Sequence, residues 1–318
     1  MTTAAEKRIL VVKLGALGDL IQALGPLAAI RRHHADARIV LLTAVPYAAF
    51  MDSCPLVDAV WIDRRPGAFD LGGWLALRRR LRGGGFTRVY DLQTSDRSSF
   101  YYRLFWPGPP PEWSGIAAGC SHPHANPRRD FLHSIERQAE QLAAAGIKDV
   151  PSPDLGWVAA DVGRFGLTGR YALLMPGGAT HRPDKRWPAT RYADLARRLL
   201  TSGVRPVLIG LESEAPLLAE VAAGAPAALD LAGQTSLAEI AVLARGAVAA
   251  VGNDTGPMHV TAAVSCPSLT LFSAESDPAR CAPRGRLVGI LRRPDLADLS
   301  VDEVTAAAQR LLTPGSAR

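Results

Sequence analysis

The sequence predicts an α/β protein of two domains, each built on a doubly wound parallel sheet. Three observations support this fold class. Short apolar runs alternate with segments of helical apolar spacing along both halves of the chain, as in sheets whose strands are joined by helices. The length of 318 residues fits two domains of ordinary size. A proline-rich stretch at residues 150–154 interrupts the alternation and predicts the interdomain linker.

In the first half, apolar runs and amphipathic segments follow one another regularly. Strands are predicted at residues 8–13, 38–43, 59–62 and 88–92, and helices at 19–32, 47–51, 71–81 and 131–146. Residues 106–129 are rich in proline, glycine and histidine, so a long loop with one short strand is expected there.

The second half repeats the pattern. Strands are predicted at residues 171–175, 206–209, 228–231, 247–251 and 268–272, and helices at 189–201, 236–244 and 301–312. Ser236 and Glu239 have the spacing of a capping box, which places the start of the middle helix.

The composition is that of a globular protein, with 48% hydrophobic and 21% charged residues. No apolar stretch reaches the length of a membrane span, and residues 1–6 are polar, so we expect a cytoplasmic protein without a signal peptide. The four cysteines are scattered without metal-binding spacing, so we expect free thiols and no metal.

The chain is basic, with a formal net charge of +6, which favours anionic partners. No nucleic-acid-binding motif accompanies the charge, so we expect no nucleic-acid partner. Residues 100–106 hold five of the twenty aromatic side chains. Helix packing is one explanation of this cluster, and contact with lipid or a glycolipid is the other.

A strand, a sharp turn and a helix start are predicted where residues 247–251 are followed by Gly-Asn-Asp-Thr-Gly-Pro-Met-His. Gly256 permits a tight turn, and Pro257 suits the first turn of a helix, whose unpaired N–H groups attract phosphate. Asp254, Thr255 and His259 add polar groups to this helix start. The alternatives are a helix capped by Asp254 or Thr255 and a His259 packed in the core.

A second polar loop follows the strand at residues 171–175 and contains Thr180 and Lys185. Because ligands bind at the carboxyl ends of parallel strands, the two loops together predict a nucleotide site. A basic solvated loop is the alternative. Glu212, just after the strand at 206–209, could accept hydrogen bonds from a ribose diol or serve with Ser213 as a helix cap.

Near the N-terminus, a loop with Gly15 and Gly18 joins the first strand to a helix that starts near Asp19. The loop is not GxGxxG, so the fingerprint of a nicotinamide cofactor is absent. Gln93 closes the strand at residues 88–92 on the same sheet edge. From the residues alone, Asp19 is either a functional carboxylate or a helix N-cap.

Three motifs resemble the signatures of glycosyltransferase family 9, which includes the ADP-heptose:lipopolysaccharide heptosyltransferases. They are Val-Lys-Leu-Gly-Ala-Leu-Gly-Asp at residues 12–19, Gly-Ala-Thr-x4-Lys-x-Trp-Pro at 178–188, and Asp-Thr-Gly-Pro-Met-His at 254–259. The resemblance extends over residues 8–312. It implies the GT-B fold, in which two Rossmann-like domains face each other across a cleft. The acceptor-side domain would be residues 1–152 and the donor domain 153–318, with the helix at 301–312 packing back on the first domain.

The resemblance also implies an activity, an inverting and metal-independent transfer of heptose from ADP-L-glycero-D-manno-heptose to a lipopolysaccharide core acceptor, without a cofactor. Asp19 would be the general base. The implied donor-binding residues are Thr180, Lys185, Glu212, Asp254, Thr255, Gly256 and His259, and the acceptor-side residues are Lys13, Gly18, Gln93, His133 and Arg137. His133, Glu136 and Arg137 could equally form a surface ion network. An anionic glycolipid partner implies peripheral contact with the cytoplasmic face of the inner membrane.

Two features depart from the family pattern. His181 replaces a hydroxyl residue, which leaves the donor sugar open, and residues 272–276 lack a Gly-Pro turn on the donor side. Two other functions fit the residues less well. A nucleotide-sugar epimerase or hydrolase could use the same scaffold. A non-enzymatic protein could bind anionic glycolipid through residues 78–82 and the aromatic cluster, but it would not need two phosphate-binding loops.

Overall fold

A computed structural model describes residues 6–178 and 182–312. The chain divides into two compact units, and the division falls between Pro153 and Asp154, one residue from the predicted boundary. Thr180 and His181 lie outside the described residues. Among the residues described, no helix has both the length and the apolar character needed to cross a membrane.

The first unit is a six-stranded parallel sheet with helices between its strands. The strands are β1 (Arg8–Val12), β2 (Arg38–Ala44), β3 (Ala59–Asp63), β4 (Arg88–Asp91), β5 (Glu112–Gly115) and β6 (His122–Pro123). The helices are α1 (Leu17–Gln22), α2 (Leu24–His33), α3 (Val45–Asp52), α4 (Leu71–Gly83), α5 (Asp96–Arg103) and α6 (Ser134–Ala144). The strand order is β3-β2-β1-β4-β5-β6, and every pair is parallel.

One helix of this unit differs from the prediction. A single helix was expected over residues 19–32, but the chain forms α1 and α2 with a break at Ala23. Pro26 has no N–H to donate to the carbonyl of Gln22, so a continuous helix would lose that hydrogen bond. The break leaves α1 as a short helix that carries Asp19 in its first turn.

The second unit has the same architecture. Its strands are β7 (Tyr171–Met175), β8 (Arg205–Leu208), β9 (Leu229–Asp230), β10 (Ala249–Asn253), β11 (Ser268–Phe272) and β12 (Val288–Arg292). Its helices are α7 (Ala189–Thr201), α8 (Ala215–Gly224), α9 (Leu237–Gly246), α10 (Gly256–Ala263), α11 (Pro278–Cys281) and α12 (Val301–Leu312). The order is β12-β11-β10-β7-β8-β9, again all parallel. The predicted fold class of two Rossmann-like domains is confirmed.

Helix α12 packs against the sheet of its own unit. Its apolar side chains Val301, Val304 and Ala307 are buried in the core of the second unit, where α12 packs against α7, β11 and β12. Spacing of three residues places these side chains on one helix face, and that face is covered within its own unit. The prediction that this helix also packs back on the first domain stays a prediction.

Candidate active site

Each sheet has one place where the direction of winding reverses. In the second unit, β7 and β10 are neighbours. The strands that follow β7 are added on one side of this pair, and those that follow β10 are added on the other side. In the first unit, β1 and β4 have the same relation. The loops that follow two such strands run to opposite faces of the sheet. A crevice therefore opens between them at the carboxyl edge of the sheet. The polar motifs at 12–19, 91–94, 176–188 and 254–259 all follow these four strands.

Asn253, the last residue of β10, joins the two loops of the second unit. Its amide nitrogen donates to the carbonyls of Pro176 at 2.7 Å and Gly177 at 3.1 Å. Its amide oxygen accepts from the Trp187 backbone N–H and the Tyr192 hydroxyl, both at 3.0 Å. All four hydrogen bonds of this fully buried amide are made, so the loop after β7 is fixed against β10.

Lys185 and Asp254 form an ion pair within this crevice. The Lys185 ammonium lies 2.6 Å from Oδ2 of Asp254, and the Ser276 hydroxyl donates to the same oxygen at 2.6 Å. The Lys185 and Asp254 side chains are only 13% and 11% exposed. Asp254 therefore orients Lys185, and its carboxylate is already engaged by two donors.

The α10 helix starts directly after Asp254. Thr255 is its N-cap residue, but the Thr255 side chain makes no capping hydrogen bond, and Gly256 and Pro257 are the first helical residues. The alternative of a helix capped by the Thr255 or Asp254 side chain is therefore not what forms. His259 is buried on this helix, as the core-packing alternative predicts. The open helix start beside a lysine is a favourable place for a phosphate group.

Glu214 braces the glycine-rich loop that follows β7. Its carboxylate accepts from the Gly178 backbone N–H at 2.7 Å and from the Leu211 N–H at 2.8 Å. A Cβ atom on Gly177 would lie 2.2 Å from Oε1 of Glu214, so only glycine allows this close approach. The turn after β8 is thereby tied to the loop after β7.

Glu212 lies in the same turn and is exposed. The capping alternative proposed for Glu212 is wrong, because the carboxylate that bonds the backbone of this turn belongs to Glu214. A Cβ on Gly233 would lie 2.9 Å from the Glu212 Cβ and 3.1 Å from its Cα, so Gly233 lets the chain pass close to Glu212.

In the first unit, Lys13 and Gln93 link the loops after β1 and β4. The Lys13 ammonium donates to the Leu92 carbonyl at 3.1 Å, and the Leu14 N–H donates to the Gln93 side chain at 2.9 Å. Burial lowers the pKa of Lys13, while the nearby charges of Asp19 and Asp91 raise it and that of Arg137 lowers it. The structure thus brings Lys13, Asp19 and Arg137 into one electrostatic environment.

Asp91 is fully buried at the end of β4. Its carboxylate accepts from the backbone N–H groups of Thr94 at 3.0 Å and Gln93 at 3.1 Å. Burial nevertheless raises the pKa of Asp91 to about 6, because loss of solvent outweighs these bonds and the charge of Lys13.

Asp19 is half-buried in the first turn of α1. The N-cap position belongs to Ala16, so the interpretation of Asp19 as the N-cap is wrong. Gly18 is buried beside it. Asp19 is thus a carboxylate on a short helix at the carboxyl edge of the sheet.

His133 and Arg137 belong to α6. His133 is buried, caps α6 by accepting from the Ile135 N–H at 3.2 Å, and lies 3.1 Å from Glu136. The Arg137 guanidinium lies 3.9 Å from Asp130. These ion pairs agree in part with the predicted surface ion network. His133 is buried, however, so the network is not confined to the surface.

Three residues that shape the site were not predicted from the sequence: Asn253, Glu214 and Ser276. Asn253 carries a detectable signal, because it is a polar residue at the end of a run that is otherwise apolar. Glu214 and Ser276 carry none, since their contacts join segments 36 and 22 residues apart.

The chain is similar to known proteins in sequence and in fold. The family model described as glycosyltransferase family 9 (heptosyltransferase) matches residues 74–304. Lipopolysaccharide heptosyltransferase 2 of Salmonella typhimurium is 26% identical over 297 residues, which cover 85% of this chain and 83% of that protein.

Two solved structures from Escherichia coli have the same fold. ADP-heptose lps heptosyltransferase II aligns with a TM-score of 0.80 and 22% identity, covering 96% of this chain and 98% of that one. Heptosyltransferase WaaC with ADP aligns with a TM-score of 0.75 and 24% identity, covering 96% and 99%. The chain belongs to glycosyltransferase family 9, the heptosyltransferase family, and is a glycosyltransferase.

Proposed function

We propose that this glycosyltransferase of lipopolysaccharide core biosynthesis moves a heptose from ADP-L-glycero-D-manno-heptose to the core acceptor, with inversion and without a metal ion. The observation that carries the proposal is the Lys185 ammonium, held by Asp254 beside the open start of α10. The nucleotide and sugar are inferred from the similar WaaC structure, which contains ADP, and from the heptosyltransferase names of the relatives.

The donor diphosphate would bind at the Thr255–Gly256 helix start. Backbone N–H groups and Lys185 would stabilise the negative charge that grows on ADP as the sugar leaves. Thr180 would add a hydroxyl donor and His259 a further polar contact, and Glu212 would accept hydrogen bonds from the ribose. Since fixed cationic and N–H groups supply the stabilisation, the proposed reaction needs no metal.

The acceptor would be activated in the first unit. Asp19 would accept the proton of the acceptor hydroxyl as its oxygen attacks the anomeric carbon. The bond from that carbon to the diphosphate breaks in the same displacement, which inverts the configuration. Lys13, Gly18, Gln93, His133 and Arg137 would surround the acceptor, and the cationic members suit a phosphorylated glycan.

Nucleotide binding and transfer can be tested separately. Thermal unfolding with ADP, UDP and GDP should show preferential stabilisation by ADP, about 2.7 kcal/mol at 100 times its dissociation constant. Lys185→Gln should weaken ADP binding about tenfold or more, because a charged hydrogen bond is lost. Asp19→Asn should keep ADP affinity but reduce transfer about 10² to 10⁴-fold.

Two controls sharpen this test. Lys148→Gln removes an exposed lysine and should leave ADP affinity unchanged. The double variant Lys185→Gln/Asp254→Asn removes the ion pair without stranding a charge, so restored ADP affinity would mean that Lys185 is only structural. Undiminished transfer by Asp19→Asn, or release of free heptose without acceptor as the main reaction, would contradict the proposal.

A further inference from the structure

The net positive charge of this protein is accounted for by one segment. Residues 64–106 contain nine arginines, no lysine and three aspartates, a formal charge of +6. The whole chain also carries +6, so the remaining residues are formally neutral together. One of the three aspartates, Asp91, is fully buried. The basic character of the chain is therefore a property of α4, α5 and their flanking loops.

The same segment exposes large apolar side chains. Phe69 is 98% exposed, Trp106 75% and Leu71 73%, and Leu75 and Phe100 are also exposed. Isolated exposed apolar residues are normal, but a group of them on one surface marks a site of interaction.

Helix α4 brings these two properties onto one face. Leu71, Leu75, Arg78 and Arg82 follow one another at intervals of four, three and four residues, so they form one stripe along the helix. Leu77 and Leu81 are the buried residues of α4 and anchor it to the core. The outer stripe is apolar at the start of the helix and cationic towards its end.

Direct contacts connect the neighbouring residues to this stripe. The Arg78 guanidinium donates to the Trp106 carbonyl at 2.7 Å. The Trp74 and Phe100 rings meet edge to face with centroids 5.2 Å apart. We call the surface formed by Phe69, Leu71, Leu75, Arg78, Arg79, Arg82, Phe100, Arg103 and Trp106 the α4 face.

The loop before α4 is held in place by hydrogen bonds. Asp70 caps the helix through the Gly73 N–H at 2.8 Å, and the Trp74 indole N–H donates to the Gly67 carbonyl at 2.9 Å. Arg97 donates to the Pro66 carbonyl at 3.0 Å and lies over the Trp74 ring. Phe69 is thus presented to solvent by a braced loop.

We propose that the α4 face binds the surface of an anionic lipid bilayer. Aromatic and aliphatic side chains enter the boundary between head groups and acyl chains, and arginines there pair with lipid phosphates. Such a surface offers a broad sheet of negative charge over apolar material, which matches exposed arginines that surround protruding apolar side chains. This inference does not depend on the identity of the donor or on transfer.

Sedimentation with vesicles tests the proposal on the full chain. The protein should bind vesicles of phosphatidylcholine with phosphatidylglycerol, and binding should weaken with salt and with neutral phosphatidylcholine vesicles. Arg79→Glu/Arg82→Glu should weaken binding to the anionic vesicles at least about 25-fold, since each arginine near such a surface contributes about fivefold. Phe69→Ser/Leu75→Ser should weaken it about tenfold or more at any salt concentration.

A matched variant distinguishes an effect of the α4 face on vesicle binding from an effect of the net charge of the protein. Arg286→Glu/Arg310→Glu makes the same change in net charge at exposed arginines of the second unit and should bind vesicles like the wild type. Each variant should keep its unfolding temperature and its ADP affinity, which shows that it folds and that the donor site is intact.

Three results would overturn the proposal. They are failure of the wild type to bind anionic vesicles, equal losses in the two arginine double variants, and vesicle binding that survives both changes to the α4 face. A partner protein that competes for this face while vesicles do not bind would assign it to protein recognition instead.

Discussion

Asp91 is the residue whose environment has the clearest physical consequence. Its carboxyl has a pKa of about 6 in the folded chain and 3.8 as its ordinary value. The folded state therefore holds the proton more tightly than the unfolded state, and its stability falls as the pH rises from about 4 to about 6. The shift corresponds to a loss of about 3 kcal/mol across this window.

We expect Asp91→Asn to remove that loss. Asparagine keeps an oxygen that can accept from the Thr94 and Gln93 N–H groups, but it carries no charge to bury. Denaturant unfolding at pH 4 and pH 7 should show that the variant gains stability relative to the wild type as the pH rises. Asp36→Asn, at an exposed position, is the control. An identical pH profile for Asp91→Asn and the wild type would contradict the raised pKa.

At the residue scale, the sequence predicted the groups that bear charge in the site and missed those that position them. Lys185, Asp254 and Asp19 lie in short motifs between a strand and a helix, and for Asp19 the functional role was favoured by the family resemblance rather than by the residues alone. Asn253 and Glu214 act through contacts with residues distant in sequence, which no local pattern contains. The roles of Asp254 and Glu212 also depend on which neighbouring group forms an ion pair or a hydrogen bond with each carboxylate.

At the element scale, the loop after β7 depends on the absence of a side chain at Gly177. We expect Gly177→Ala to displace the Glu214 carboxylate, since the new Cβ would lie 2.2 Å from its Oε1. Loss of the hydrogen bond to the Gly178 N–H should loosen the loop and weaken ADP binding about tenfold. Calorimetric titration with ADP measures this effect.

Gly83→Ala is the matched glycine control, because a Cβ there meets nothing within 4 Å. It should bind ADP like the wild type. Unchanged ADP affinity in Gly177→Ala would show that this loop does not form the nucleotide site.

Elements were best predicted where local signals are strong. The predicted bounds of α7, β7, β11 and α12 match the structure, and Ser236 and Glu239 form the predicted capping box. Pro26 divided a predicted helix in two, although its effect on hydrogen bonding could have been foreseen. Strand β12 was missed although three of its five residues are apolar; it is a partly exposed edge strand, and its second residue is a glycine.

At the scale of the whole molecule, each unit has its own core. The core of the first unit includes Trp113, and that of the second includes Trp187, and both side chains are fully buried. The Trp187 indole N–H also donates to the Leu299 carbonyl at 2.9 Å, which joins the loop after β7 to the segment before α12. Alternating apolar runs predicted two sheets. They did not predict that the apolar face of α12 would be buried in the core of the second unit.

We expect Trp187→Ala to destabilise the second unit by about 3 to 5 kcal/mol, because it leaves a large cavity and an unpaired carbonyl. Hydrogen exchange with mass spectrometry should show lost protection in peptides after Asp154 and retained protection in peptides before it. Trp106→Ala, which truncates an exposed tryptophan, should change neither pattern. Equal loss of protection in both units would mean that their cores unfold as one.

The confinement of all surplus charge to residues 64–106 has a consequence for how the protein would meet a membrane. An anionic bilayer would attract one part of the molecule, while the formally neutral rest would feel no net attraction, so the field would exert a torque. Within about one Debye length, roughly 8 Å at physiological ionic strength, that torque would turn the protein before any contact forms. Arrival would then be oriented, and the search for a lipid-borne acceptor would become diffusion in two dimensions.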